Sequence, residues 1–170
     1  MEEIFILRHS EAEDLSEGKE ISDFDRKLTE DGIKKTKKLS SFFYNLNEGV
    51  DLILASPYIR TKETAEIFVS NLDPKVEIKT VDFLRSGSSL KEIAKGLLPY
   101  VSLKKIVLVG HAPDLEIFLG KLIGAERIRL KKGSLAKVSL NNSIELVGEL
   151  KWLITPRLIK EVKTKEKAKN

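Results

Sequence analysis

Three short apolar runs constrain the fold of this chain more than any other feature of its sequence. Ile4–Leu7 is apolar throughout, and Asp51–Ala55 and Lys105–Gly110 contain runs of the same kind. A strand with one face in water alternates apolar and polar residues, whereas a strand covered on both faces does not. The runs therefore predict parallel strands at the centre of a sheet with helices on both sides.

Helical patterns separate these strands. Thr29 can cap a helix whose first turn is acidic, and apolar residues then recur at near-helical spacing as far as Leu46. Further elements are expected as a helix opening at Ser56-Pro57 and reaching about Val69, a weaker strand at Val76–Lys79, a helix near Ser89–Leu98 and a helix from Ala112-Pro113 to about Ile123.

The last part of the chain differs in pattern. Ser134–Leu140 and Ile144–Ile154 alternate more clearly and flank the turn-rich segment Asn141–Ser143, which is typical of a β-hairpin. Strand and helix units followed by a hairpin predict an α/β fold, namely a three-layer α/β/α sandwich with a mostly parallel central sheet and a closing antiparallel hairpin. We expect residues 1–160 to form a single domain and residues 161–170 to form a charged, flexible tail.

Composition excludes several classes of function. The absence of cysteine excludes disulfides, cysteine-bound zinc and thiol catalysis, and two histidines leave little material for an imidazole metal site. No apolar run approaches the roughly 20 residues that span a bilayer, and signal-peptide features are missing. The net charge is +4, and in the tail the lysines are interspersed with glutamates instead of forming a block of one sign, which argues against a nucleic-acid-binding arm. We expect a cytoplasmic monomer without a membrane or nucleic-acid partner.

Both histidines of the chain follow predicted strands. His9 comes after the first strand together with Arg8, His111 follows the Lys105–Gly110 strand, and Arg60 lies in the first turn of the helix after the second strand. Each residue alone is more often structural than functional. In an open α/β sheet, however, ligands bind beyond the carboxyl ends of the strands, so their coincidence at one edge favours a functional site.

The chemistry of this set suits phosphoryl transfer. Two guanidinium groups present fork-shaped donors that match phosphoryl oxygens, and a helix N-terminus beside Arg60 adds backbone donors. One imidazole can attack phosphorus as a nucleophile, and the other, if protonated, adds a donor. A metal is not required, because the arginines supply the positive charge that Mg²⁺ supplies elsewhere.

The chain resembles the histidine phosphatase superfamily, whose fold is phosphoglycerate-mutase-like, and it is most similar to the short branch of SixA-type phosphohistidine phosphatases. Five segments in the same order carry the resemblance: Leu7–Ala12, Asp25–Gly32, Ser56–Ala65, Val109–Pro113 and Leu150–Leu158. The resemblance covers nearly the whole chain. It implies that His9 becomes transiently phosphorylated, that Arg8, Arg60 and His111 hold the phosphoryl group, and that neither a metal nor an organic cofactor is needed.

Three positions of the expected site are less simple. Ser10 stands where the family signature has glycine, and we include it among the phosphate-binding candidates. Arg85 follows the third strand, from which it can either reach the phosphate or remain a surface residue. Asp82 is the available carboxylate for a general acid, but a register shift of one residue turns a strand side chain to the other face.

The weak case for a general acid bears on the substrate. An alkoxide leaving group needs a proton in the transition state, and losing that help costs about 10²–10⁴-fold in rate. An imidazole leaving group is less basic, which favours protein phosphohistidine as the substrate of a metal-independent phosphatase. The alternatives are a general phosphatase for small phosphomonoesters and a phosphate-recognising binding module without turnover.

Overall fold

The computed structural model describes residues 1–15, 22–73 and 76–160. Within these residues, six strands form one sheet in the order β3-β2-β4-β1-β5-β6. The elements are β1 (Glu3–Arg8), α1 (Glu30–Asn45), β2 (Leu52–Ala55), α2 (Ile59–Val69), β3 (Glu77–Thr80), α3 (Leu90–Leu97), β4 (Lys105–Gly110), α4 (Asp114–Leu122), β5 (Leu135–Asn142) and β6 (Val147–Ile154). The first four strands in the sheet order run parallel to one another, and β5 pairs antiparallel with both β1 and β6. The predicted fold class is confirmed.

The parallel strands are apolar at successive positions because the two faces of the sheet are covered by different helices. Ile4 and Ile6 of β1 belong to a buried cluster with α3 and α4, whereas Phe5 and Leu7 belong to a second cluster with α1 and α2. All four side chains are fully buried. Within the described residues, we find no helix that combines the length and the apolar character needed to cross a membrane.

The start of α1 follows the predicted signals. The Thr29 hydroxyl accepts a hydrogen bond from the backbone nitrogen of Gly32 at 3.1 Å, as expected of an N-cap residue. Gly32 packs directly on the chain that leaves β1, since a β-carbon there would lie 2.2 Å from the Glu11 carbonyl oxygen. The helix therefore holds the segment after His9 against the edge of the sheet.

The hairpin prediction is also confirmed, because β5 and β6 pair antiparallel. The Trp152 ring lies 5.9 Å from the ring of Phe5, on the face that α1 and α2 cover. The predicted strand Val76–Lys79 lies one residue further on, at β3, and the helix expected from Ala112-Pro113 begins at Asp114. The predicted tail, residues 161–170, lies outside the described residues.

The register of the two central strands positions the site. Arg8 at the end of β1 is directly opposite Gly110 at the end of β4, so His9 and His111 are the next residues on adjacent parallel strands. The backbone nitrogen of His9 donates to the Gly110 carbonyl at 3.0 Å. Both histidines therefore emerge side by side at the carboxyl edge of the sheet.

Candidate active site

His9 is buried and is held in one orientation. Its Nδ1–H donates to the backbone oxygen of Ser10 at 2.7 Å. This bond assigns the ring proton to Nδ1, so the second ring nitrogen, Nε2, carries a lone pair. Nε2 has no hydrogen-bond partner within the described parts of the chain. The ring thus holds a lone pair on Nε2 that is not used in any of these contacts.

The surroundings of His9 keep its ring neutral. Burial, together with the positive charges of Arg60, Arg8 and Lys132, lowers the pKa of His9 to about 3, although the hydrogen bond to Ser10 opposes the shift. A histidine in water is partly protonated near its ordinary pKa of 6.5, and a protonated ring has no lone pair for attack. The Nε2 lone pair is therefore available at any pH well above 3.

His111 lies against His9, with 5.3 Å between the ring centroids. Its Nε2 is 2.8 Å from the Ser56 hydroxyl, and its Nδ1 is 3.2 Å from a guanidinium nitrogen of Arg60. Because a guanidinium only donates, Nδ1 accepts and the ring proton lies on Nε2, from which it points to Ser56. Burial, followed by the charges of His9 and Arg60, lowers the pKa of His111 to about 3. His111 is neutral, contrary to the possibility of a protonated donor raised above.

Arg60 is fixed from three sides at the beginning of α2. Its terminal nitrogens donate to the backbone oxygen of Asp23 and, at 3.1 Å, to the Asp23 carboxylate. The guanidinium carbon lies 4.6 Å from the centroid of the Tyr58 ring, which itself contacts His111 at 4.7 Å. The remaining Nε–H of Arg60 is buried without a hydrogen-bond partner among the described residues.

Arg8 is held in a comparable way from the other side. Its Nη1 donates to the Leu130 carbonyl at 2.6 Å and lies 3.9 Å from the buried carboxylate of Glu116. Glu116 also accepts from the Leu130 backbone nitrogen at 2.9 Å and forms an ion pair with Arg127, so it ties the loop before β5 to α4. The Nε–H of Arg8 is buried and, like that of Arg60, has no partner in the described structure.

The arrangement has a definite chemical capacity. An uncharged N–H or C=O left unpaired in the interior costs about 1–3 kcal/mol, and a charged donor costs more. Two guanidinium Nε–H groups in this condition lie close enough to lower the pKa of His9 by their charge. An anion with several oxygens beside His9 would satisfy both donors and meet the Nε2 lone pair. Among the described residues, no three His, Asp or Glu side chains are grouped so as to hold a metal ion.

Ser10 is placed differently from a phosphate-contacting residue. Its hydroxyl is fully buried and lies 2.6 Å from the Thr36 hydroxyl on α1. Space for this side chain comes from Gly133, where a β-carbon would lie 2.9 Å from the Ser10 oxygen. Gly133 also has a φ of 70°, which other residues rarely adopt. The serine at the signature glycine position is thus accommodated by a second glycine.

Arg85 and Asp82 lie outside the pocket. They flank a short 3₁₀ turn after β3 and form an ion pair at 2.8 Å, with side chains that are 53% and 81% exposed. Leu84, which is buried in this turn, anchors it to the core and leaves its polar neighbours on the surface. The structure does not bring these two residues to His9.

Four residues at the site were not singled out from the sequence: Asp23, Ser56, Tyr58 and Glu116. Ser56 and Tyr58 belong to Ser56–Ala65, one of the five segments that carry the family resemblance, so their closeness to Arg60 along the sequence could have indicated that they lie at the site. Asp23 and Glu116 belong to no such segment. Their contacts depend on loops whose path the sequence pattern does not define.

Comparisons with known proteins relate the chain to one family and one fold. A family model described as the histidine phosphatase superfamily (branch 1) matches residues 4–88. An uncharacterized protein of Picosynechococcus sp. is 28% identical over 167 residues, which cover 89% of this chain and 99% of that protein.

Two solved structures illustrate the similarity of the fold. The protein histidine phosphatase SixA, solved in complex with tungstate, has a TM-score of 0.80 at 20% identity, covering 91% of this chain and 97% of that one. The alpha-ribazole phosphatase of Shigella flexneri has a TM-score of 0.72 at 16% identity, covering 91% and 96%. At these identities the similarity concerns the fold alone.

Proposed function

Because the chain belongs to the histidine phosphatase superfamily, branch 1, we propose that it is a metal-independent phosphatase that acts through a phosphohistidine intermediate on His9 and prefers protein phosphohistidine. The observation that carries the proposal is the unpaired Nε2 lone pair of His9 beside the unpaired Nε–H groups of Arg8 and Arg60. A cytoplasmic location, and a monomeric state in solution, are parts of the same proposal.

In the first step, the His9 Nε2 lone pair attacks the phosphorus of the substrate and forms a P–N bond. The bond between phosphorus and the substrate imidazole breaks, and its electron pair remains on the departing nitrogen. His9 acquires positive charge while its proton stays on Nδ1, and the Ser10 carbonyl, which accepts a hydrogen bond from Nδ1–H, stabilises the charge. The guanidinium groups of Arg8 and Arg60 stabilise the phosphoryl oxygens.

In the second step, water attacks the phosphorus of phosphorylated His9. A P–O bond forms, the P–N bond breaks, and its electrons return to Nε2. Both protons of the water remain on the released phosphate, so His9 returns to the neutral Nδ1–H form seen in the structure. No net proton transfer to the protein is required in this cycle.

The leaving group connects the site to the substrate class. A phosphohistidine whose second ring nitrogen carries a proton departs as neutral imidazole, without a general acid. Among the described residues, Asp23 is the carboxylate that contacts Arg60, and two arginines hold it as an anion: burial opposes the shift, but hydrogen bonds and charge from Arg26 and Arg60 keep its pKa below the ordinary value. An ionised carboxylate does not protonate an alkoxide, which supports phosphohistidine over phosphomonoesters.

The test compares kcat/KM on a phosphohistidine peptide with kcat/KM on phosphoserine and on a sugar phosphate. We expect the phosphohistidine peptide to be preferred by about 10²-fold or more, the lower range of what a missing general acid costs. Equal or higher values on the phosphomonoesters would assign the chain to general phosphomonoester hydrolysis instead. Binding of all three without phosphate release would make it a binding module.

A further inference from the structure

A second cationic region adjoins the site formed by Arg8, His9, Arg60 and His111, which we call the phosphate pocket. A cleft of about 820 Å³ lies between α1, the loop before β5 and the helical residues 156–160. Arg8 forms part of its wall, whereas His9, Arg60 and His111 do not line it. We call it the basic cleft. It is a separate surface that shares one residue with the site described above.

The positive charge of the protein is concentrated in this cleft. Of the residues that the structure describes, eight basic and two acidic ones line it, a surplus of six positive charges. This surplus exceeds the net charge of +4 that the whole chain carries. A concentration of one sign in a concave surface raises the local potential and attracts ligands of the opposite sign.

The charge is not neutralised within the cleft. Its two carboxylates, those of Glu11 and Asp31, both form ion pairs with the Nζ atom of Lys35, at 2.6 and 2.7 Å. Lys38, Lys131 and Lys132 form no salt bridge with any carboxylate in the described parts of the chain. Among the described residues, these three lysines therefore face the cleft without a carboxylate in direct contact.

The basic cleft adjoins His9, and charges that line the cleft act on the His9 ring. Arg8 contributes to both regions, and the Lys132 charge is close enough to lower the pKa of His9. A polypeptide that presents a phosphorylated side chain to His9 would place neighbouring residues over the wall that Arg8 forms. Acidic residues there would meet Lys38, Lys131 and Lys132.

We propose that the basic cleft binds an acidic segment of the phosphorylated protein, adjacent in that protein to the histidine that is dephosphorylated. The inference rests on the proposed function. The described lining contains no aromatic side chain on which nucleobases could stack, and this disfavours a nucleic acid. Its two carboxylates disfavour a nucleic acid as well, because they would repel the phosphates. An acidic peptide requires only dispersed positive charges at the spacing of lysine side chains.

The experiment uses two synthetic peptides of equal length with one histidine each. In the first, glutamates flank the histidine, and in the second, glutamines replace them. Binding is measured by fluorescence anisotropy with unphosphorylated peptides, and turnover is measured after chemical phosphorylation of the histidine. We expect the glutamate peptide to bind about tenfold more tightly, because several exposed charge pairs each make a small favourable contribution.

A matched pair of variants locates the effect. Lys34→Glu with Lys38→Glu reverses two charges four residues apart on α1, at the cleft. Lys91→Glu with Lys95→Glu makes the same change, with the same spacing, on α3, which covers the other face of the sheet. The first variant is expected to abolish the preference for the glutamate peptide, and the second to retain it.

The outcomes separate the two proposals. Equal binding of the two peptides, or a preference that survives the α1 variant, overturns the basic cleft as a docking site even if both phosphopeptides are hydrolysed. A lysine-dependent preference without hydrolysis of either phosphopeptide supports the cleft and overturns the proposed function. Tighter binding of a single-stranded oligonucleotide than of the glutamate peptide would overturn the assignment of a protein segment.

Discussion

The phosphate pocket and the basic cleft are both cationic, yet they are built in opposite ways. In the pocket, Arg60 is buried and its terminal nitrogens are fixed by Asp23 and His111. In the cleft, Lys38 and Lys131 are exposed, carry their ammonium groups at the ends of long side chains, and contact no carboxylate of the described structure. One region fixes a few charges, and the other displays many.

This difference separates two functions of positive charge. Fixed, buried donors are worth most where charge develops at a defined position, because they need no reorganisation during the reaction. Exposed lysines interact through solvent, are screened by salt and contribute little individually, but they tolerate many arrangements of the partner. The pocket therefore suits catalysis on one group, and the cleft suits attraction of variable polypeptide.

The largest effect is expected from Arg60→Ala, which removes a fixed donor from the pocket. The kcat on a phosphohistidine peptide should fall by about 10²–10³-fold, as is typical when a donor to developing negative charge is lost. Arg85→Ala is the control, because Arg85 pairs with Asp82 on the surface, and kcat should change by less than about twofold. A loss of kcat for Arg85→Ala as large as for Arg60→Ala would show that Arg85 also takes part in the reaction, which would contradict its role as a surface residue.

Glu116→Gln tests the support of Arg8 from behind the pocket. Removing the buried negative charge leaves Arg8 and Arg127 without their partner, so the free energy of unfolding should fall by about 3 kcal/mol. Glu149→Gln is the matched control, because Glu149 pairs with Lys151 on the surface, and it should cost less than about 1 kcal/mol. Urea denaturation measures both, and equal losses would contradict the structural role of Glu116.

Acid should destabilise the fold through the pocket. His9 and His111 have a pKa of about 3 in the folded protein, against an ordinary value of 6.5 in the unfolded chain. Below pH 6.5 the unfolded chain therefore binds protons that the folded protein does not, and stability is lost as the pH falls toward 3. Between pH 6 and pH 5, the two residues together should cost about 2 kcal/mol of unfolding free energy.

Because the chain has two histidines, this dependence can be assigned. His9→Gln removes one titrating group, so its loss of stability between pH 6 and pH 5, followed by urea denaturation, should be about half that of the unaltered protein. An unchanged dependence in His9→Gln would mean that the acid sensitivity arises elsewhere.

The smallest effect concerns salt and sharpens the comparison directly. Raising the ionic strength from 0.05 to 0.5 M should lower kcat/KM for a glutamate-flanked phosphopeptide by several-fold, because exposed lysines are screened. The glutamine-flanked phosphopeptide depends mainly on the buried pocket and should lose less. Equal losses for both peptides would show that the cleft makes no separate electrostatic contribution.

The order of the motifs along the chain was sufficient to predict the fold and the proximity of the four central site residues, Arg8, His9, Arg60 and His111. Apolar runs defined β1 and β4, and their parallel pairing places His9 beside His111 without further information. Arg60 follows because a helix begins directly after β2. These predictions depend on short distances along the sequence and on the general placement of sites at strand ends.

Contacts between distant loops were beyond prediction. Glu116 resembles an exposed acidic residue in the first turn of a helix, and its burial depends on Arg127 in the loop that follows α4. Asp23 reaches Arg60 from a segment without strand register. Ser10 was expected at the phosphate, but its hydroxyl turns to Thr36 because Gly133 makes room for it.

The most direct test of the account is to trap the enzyme during turnover with ³²P-labelled phosphohistidine peptide, quench in alkali and map the label. We predict label on His9, released by acid as expected for a P–N bond, and no label on His9→Ala. Label on any other residue, or phosphate release at an unchanged rate by His9→Ala, would contradict the assignment of the Nε2 atom of His9 as the nucleophile.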